Sequence, residues 1–150
     1  MKPIFIGADS AGFELKELIK ERLVEAGYEV TDVGTDSTAS CHYPIFAAAV
    51  ARGVQNTEGA LGILVCGTGI GMSMTANKFK GIRAAVCGDT FSARMTRLHN
   101  DANVLCIGAR VLGYGLACDI VDLFLTTDFE GGRHATRVDM ITALENGETI

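Results

Sequence analysis

Short apolar runs alternate with helix-patterned segments along the whole chain, and this alternation constrains the fold more than any other feature. The runs are PIFIGA (3–8), YEVTDV (28–33), ALGILV (60–65), IRAAVC (82–87) and NVLCIG (103–108). Each is short enough for a strand and is bounded by Gly, Asp or Asn. Length and punctuation of that kind favour a buried strand over a piece of buried helix. Between them lie helical patterns. Leu15, Ile19, Leu23 and Ala26 recur at three- and four-residue spacing with Glu and Lys between them, and Gly27 supplies a stop. Residues 44–54 open on Pro44, suited to a first helical turn. Residues 71–79, 90–99, 113–127 and about 134 to 145 complete the predicted set. Strands that alternate with helices need crossover connections, so the expectation is an α/β fold: one five-stranded parallel sheet with helices on both faces. With 150 residues and no linker or repeat, a single domain over 1–150 is expected.

Ligands of such sheets bind beyond the carboxyl ends of the strands. The residues there are Asp9, Gly34 and Thr35, Cys66, Gly88 and Asp89, and Gly108 to Arg110. One of these ends stands out. CGTGIG, residues 66–71, puts a thiol at the mouth of a loop with Gly67, Gly69 and Gly71 at alternate positions. It is neither the GxGxxG of dinucleotide folds nor a Walker A loop, since no GK[ST] follows. Backbone N–H groups of a glycine loop at a helix start can converge on an anion, either a phosphate or an oxyanion that forms in a reaction. The same loop also serves as a plain tight turn. Helix N-termini favour thiolate over thiol, and a thiolate there can act as nucleophile, redox centre or base. No CxxC pair accompanies Cys66, and a phosphatase-type loop would need Arg where Met72 stands, so general base is the favoured role. Thr68 can donate its hydroxyl to a substrate oxygen or make a local turn bond.

Other residue types narrow the function. The five cysteines, an odd number, argue against a disulfide framework and a zinc knuckle. The three histidines, at 42, 99 and 134, show neither HxH nor HExxH spacing, so no metal is expected. A net charge of −5 disfavours nucleic acid and anionic membrane as partners. There is no apolar run of membrane-spanning length and no secretory signal pattern, so a cytoplasmic location is expected. Arg133 and Arg137, four apart, share a helix face that can clamp a phosphate or simply face water, and Arg110 could join them. His99, in RLHNDAN, can complement a helix C-terminus or serve the site.

Six segments in order resemble one family, ribose-5-phosphate isomerase B with its galactose-6-phosphate isomerase relatives. They are GADSAGFELK (7–16), HYP (42–44), CGTGIGMSMTANK (66–78), GIRAAVC (81–87), HNDANVLCIGARV (99–111) and GGRHATRV (131–138), so the resemblance extends over nearly the whole chain. The resemblance implies a Rossmann-like three-layer sandwich. It also implies a cofactor-free aldose–ketose isomerisation of a sugar phosphate through a cis-enediolate. Cys66 then resembles the base moving a proton between C1 and C2, with Thr68 assisting transfer between the oxygens. Gly67, Gly69 and Gly71 resemble the anion hole. His99, aided by Asp9, resembles the ring-opening residue, Asn100 a substrate-orienting amide, and Tyr43 the tyrosine at the substrate's edge. Arg110, Arg133 and Arg137 resemble phosphate ligands. The family further implies a homodimer, or dimers paired into a tetramer, in which the loop comes from one chain. His99, Asn100 and the arginines come from the other, with the C-terminal helix reaching the partner.

The sequence departs from the family at Ser10, where a histidine near the substrate phosphate is usual, and at Cys41-His42, where an acidic residue often stands. Ribose 5-phosphate is the expected substrate. An isomerase for a tetrose or hexose phosphate is the alternative that Ser10 suggests, and a phosphosugar-binding module is the non-enzyme alternative. A receiver domain is excluded, because Cys66 stands where its phosphorylated Asp would be.

Overall fold

The computed structural model describes residues 1–150. It contains β1 (Ile4–Ala8), α1 (Phe13–Glu25), β2 (Val30–Asp32), α2 (Tyr43–Asn56), β3 (Leu61–Cys66), α3 (Ile70–Ala76), β4 (Ala84–Val86), α4 (Thr90–Asn100), β5 (Val104–Gly108), α5 (Tyr114–Thr126) and α6 (Arg133–Glu145). All strand pairs are parallel, in the order β2-β1-β3-β5-β4. The expected α/β sandwich is therefore present, and no helix is long and apolar enough to cross a membrane.

The three central strands are apolar at almost every position because helices cover both faces of the sheet. Alternation assigns each side chain to a face. Ile4, Ile6, Ile63, Val65, Leu105 and Ile107 pack with Leu15, Ile19 and Leu23 of α1 and Ile120, Val121 and Phe124 of α5. Leu64, Cys66, Val104 and Cys106 pack on the other face, with Ala47, Val50 and Ala51 of α2 and Met72 and Ala76 of α3. Cys66 thus ends β3 facing the α2–α3 layer.

The edge strands are shorter than the sequence predicts, three residues each against six. Each pairs on one side only, so residues beyond that pairing leave the ladder. The third helix also differs from its expected span of 71–79. It ends at Ala76, where the Asn77 side chain accepts from Ala84 N–H at 2.8 Å and donates to the Ala84 carbonyl at 2.9 Å. That side chain bonds the edge strand, and residues 78–79 turn away from the helix axis.

The switch point of the sheet lies between β1 and β3, from which the chain moves to opposite sides. Asp9 N–H reaches across this seam to the Val65 carbonyl at 3.3 Å. A buried cation sets the neighbouring loop. Lys16 is 1% exposed, and its Nζ donates to Asp32 at 2.8 Å and to the Thr35 carbonyl at 2.7 Å. Burial works to raise the Asp32 pKa, yet bonds from Lys16 and Lys20 outweigh it and hold the carboxyl below its ordinary value. Asp32 itself reaches solvent, so only the Lys16 end of this pair is fully buried. Lys16 therefore anchors the start of the loop that leads from β2 to Tyr43.

Candidate active site

The glycine loop is held from beneath by β5. Ala109 N–H donates to the Cys66 carbonyl at 2.8 Å, and Arg110 N–H to the Gly67 carbonyl at 3.0 Å. Gly69 sits at φ +83, a left-handed conformation that a side chain would strain, and this turns its N–H onto Cys66 Sγ at 3.1 Å. Thr68 Oγ1 accepts from Ile70 N–H at 3.3 Å, so the local cap bond expected as one reading of Thr68 is made. Its hydroxyl proton makes no bond within the chain, and the residue is exposed. The amides of Gly67, Thr68 and Gly71 donate to no carbonyl or side chain of the chain. Thiol and unpaired amides therefore lie together at the end of β3.

Three further residues border it. A Cβ on Gly71 would lie 2.5 Å from Tyr43 Cε1, so the ring rests directly on the helix start and only glycine leaves it room. The Arg110 side chain lies beside Gly67, its Cδ and one guanidinium nitrogen 3.5 and 3.7 Å from where a Cβ would be. Asp9 Oδ1 accepts from Gly12 N–H at 3.0 Å, which fixes the carboxyl at the β1 end beside half-buried Ser10. Burial pushes the Cys87 thiol up to about 11 and the Cys106 thiol higher still.

The other candidates stand at the opposite end of the sheet. The eleven-residue α4 runs from Asp89, beside the carboxyl end of β4, to Asn100 at the amino end, about 16 Å away at 1.5 Å per residue. His99 and Asn100 occupy its last turn, and Arg133 and Arg137 lie exposed on α6, which starts beside His99. The His99 and His134 rings stack at 4.0 Å, 10° from parallel. Glu130 Oε2 lies 3.7 Å from His99 Nε2 and 3.8 Å from His134 Nε2. Arg110 lies with its own chain's loop, apart from Arg133 and Arg137 of the same chain, because the bond from Arg110 N–H to Gly67 fixes it at the carboxyl end. The largest concavity of the chain, about 490 Å³, is not at the thiol. It lies beside β4, lined among others by Arg83, Asn100, Ile141 and Glu145. The loop is instead where an oriented sulfur and unpaired amides meet.

A single chain therefore carries two clusters of candidate residues, one at each end of the sheet. The sequence matches the ribose/galactose isomerase family over residues 4–141. The chain belongs to that family. It is 52% identical to ribose-5-phosphate isomerase B of Escherichia coli K12 over 97% of both chains. It is 45% identical to D-erythrulose-4-phosphate isomerase of Pectobacterium atrosepticum, over 99% of this chain and 98% of that one. The solved ribose-5-phosphate isomerase B of Clostridium thermocellum superposes with a TM-score of 0.94 at 50% identity, over 98% of this chain and 99% of that one. Family membership and the α/β sandwich agree with the resemblance drawn from the six segments. Reading the sequence missed Glu130 and His134 as members of the amino-end cluster. His134 lay inside the segment GGRHATRV, but no spacing tied residues 99, 130 and 134 together.

Proposed function

We propose that this protein is a cytoplasmic enzyme interconverting ribose 5-phosphate and ribulose 5-phosphate by proton transfer between C1 and C2. The observation that carries this reading is Cys66 Sγ, held by Gly69 N–H beside the unpaired amides of Gly67, Thr68 and Gly71. A proton next to a carbonyl is weakly acidic, so the enediolate formed on its removal must be stabilised where its charge appears. In this reading the Cys66 thiolate takes the C2 proton of the open-chain aldose and returns it to C1. The loop amides hold the enediolate oxygen, and the Thr68 hydroxyl carries the proton between O1 and O2. Tyr43 borders the sugar.

Ring opening and phosphate binding need groups that one chain keeps some 16 Å away along α4. We assign them to a second copy. His99 of one chain, with Asp9 of the other, opens the furanose ring, and Asn100 orients the sugar. Arg133 and Arg137 of the first chain, with the loop side's Arg110, hold the phosphate. The active unit is then a homodimer, with α6 reaching the partner's loop. The separation of the two clusters supports this arrangement. A kinetic panel of four-, five- and six-carbon aldose phosphates tests the substrate, with ribose 5-phosphate expected to give the highest kcat/KM.

A second reading, isomerisation of a tetrose phosphate, is favoured by the relative named D-erythrulose-4-phosphate isomerase and by Ser10, a small residue where a histidine is usual. Higher kcat/KM on the four-carbon substrate would replace the first reading with this one.

A further inference from the structure

The amino-end cluster is a built arrangement. Arg97, 2% exposed, donates from Nε to the Thr127 carbonyl at 3.2 Å and from Nη1 to the Ala102 carbonyl. Glu130 N–H donates to the Leu98 carbonyl at 3.1 Å, and His134 N–H to the Gly131 carbonyl at 3.0 Å. These bonds clamp the loop between α5 and α6 onto the last turn of α4, which carries His99. One donor atom each from His99, Glu130 and His134 falls within 4.8 Å of the others. A separate observation singles out one of them. His134 is 5% exposed, and its Nε2 is the one buried side-chain nitrogen or oxygen with no hydrogen-bond partner. A buried polar atom left unpaired costs free energy, and a bound ion is one way to satisfy it.

We propose that His99 Nε2, His134 Nε2 and Glu130 Oε2 bind a divalent transition metal of the zinc class, and that this metal inhibits the enzyme. Two imidazoles and one carboxylate suit Zn²⁺, Co²⁺ or Ni²⁺ rather than Mg²⁺ or Ca²⁺. Tetrahedral ligands at 2.0–2.1 Å lie about 3.3 Å apart. The observed 3.7 and 3.8 Å between the nitrogens and Glu130 therefore have to close by about half an ångström. The stacked rings must also splay so that their lone pairs converge. His99, 39% exposed at its side chain, has room to swing, while buried His134 stays fixed. Arg133 and Arg137 on the same helix oppose a cation, so the expected affinity is micromolar. The metal occupies His99. Inhibition, though not binding, therefore rests on the role given to His99 above.

The test is a calorimetric titration of the full chain with Zn²⁺ in phosphate-free buffer, carried out also on Cys66→Ser to remove the site thiol. One zinc per chain is expected in both proteins. Affinity should fall by about tenfold or more in Glu130→Gln and in His134→Asn, the scale seen when a metal site loses a supporting group. If His134→Asn fails to fold, Glu130→Gln, on an exposed loop residue, carries the test. In parallel, zinc should inhibit isomerisation in the same concentration range, EDTA should reverse it, and Glu130→Gln should be less sensitive. Zinc binding that disappears in Cys66→Ser, or that survives unchanged in Glu130→Gln, overturns the proposal. Binding that depends on Glu130 but leaves turnover untouched supports the metal site and removes His99 from the reaction.

Discussion

The two ends of the sheet are built by different means. At the carboxyl end, Cys66, Gly67 and Gly69 are placed by the backbone: carbonyls bonded to Ala109 and Arg110 just past β5, and one left-handed glycine. At the amino end, His99, Glu130 and His134 are placed by side chains and loop contacts, with a buried arginine as the clamp. The first arrangement can be read from residue order, because glycines and a strand end are local. The second joins residues 31 to 35 positions apart in the sequence, from 99 to 130 and 134, and depends on tertiary packing. A backbone-built cluster tolerates side-chain change around it and fails at its own few atoms. A side-chain-built cluster responds to charge and pH.

The largest expected effect is at the thiol. Cys66→Ser should lower kcat by about 100-fold or more with KM little changed, the scale for losing a general base. Steady-state kinetics on ribose 5-phosphate measures it, and near-normal turnover would remove the base assignment.

A second experiment joins the two ends. Cys66→Ala and Arg137→Ala should each be nearly inactive alone. Refolded together, they should pair at random, about half of the molecules being mixed dimers. Each mixed dimer holds one site with both lesions and one with neither. Activity should return to roughly a quarter of wild type per chain if the sites act independently. No recovery, despite subunit exchange shown by gel filtration of tagged chains, would place the whole site in one chain.

Gly71→Ala probes the carboxyl end at smaller scale. The added methyl meets the Tyr43 ring at 2.5 Å, so the ring must move. Overpacking of this kind costs about 1–3 kcal/mol. Thermal unfolding should show the loss, and Tyr43→Ala in the same chain should recover most of it. Additive effects of the two changes would mean that the contact carries no energy.

The smallest effect is at the amino end. Burial, helped by the charges of His99 and Arg133, holds His134 below the ordinary histidine pKa. The unfolded chain therefore binds the proton more readily than the folded one. The resulting stability is present above the ordinary pKa, about 6.5, and is lost as pH falls below it toward the folded value. Melting temperature should decline between pH 7 and 5, and His134→Asn should flatten that decline. An unchanged slope would show that another group titrates there.

Much of the fold was legible because the period and length of the apolar runs are set by the sheet's two covered faces. The edge strands were overread since an apolar run does not reveal how many neighbours it will have. Phe79 completed an apolar pattern for α3, but the Asn77 amide found partners in Ala84 that no local rule supplies. At the site, the position of Cys66 followed from β3 and its glycines. Arg110 was grouped with Arg133 and Arg137 by the resemblance, and its backbone bond to Gly67, which places it at the loop of its own chain, had no local signal. Lys16 stood inside the segment GADSAGFELK without a role, because its partners Asp32 and Thr35 lie 16 and 19 residues away.

The strand order has a consequence for how the chain comes into being. β5, the last strand in sequence, lies between β3 and β4. While the chain emerges from the ribosome, β4 has nothing to pair with, and β3 presents an open hydrogen-bonding edge. An exposed apolar edge of that kind invites association with other chains. Both gaps close in one event, when residues 104–108 arrive. That same strand carries Gly108, against which the Gly67–Thr68 backbone rests, and leads into Ala109 and Arg110, which hold the loop. A nascent chain shorter than this has neither a closed sheet nor a floor beneath its thiol, so the step that ends its aggregation hazard is also the step that assembles the thiol loop.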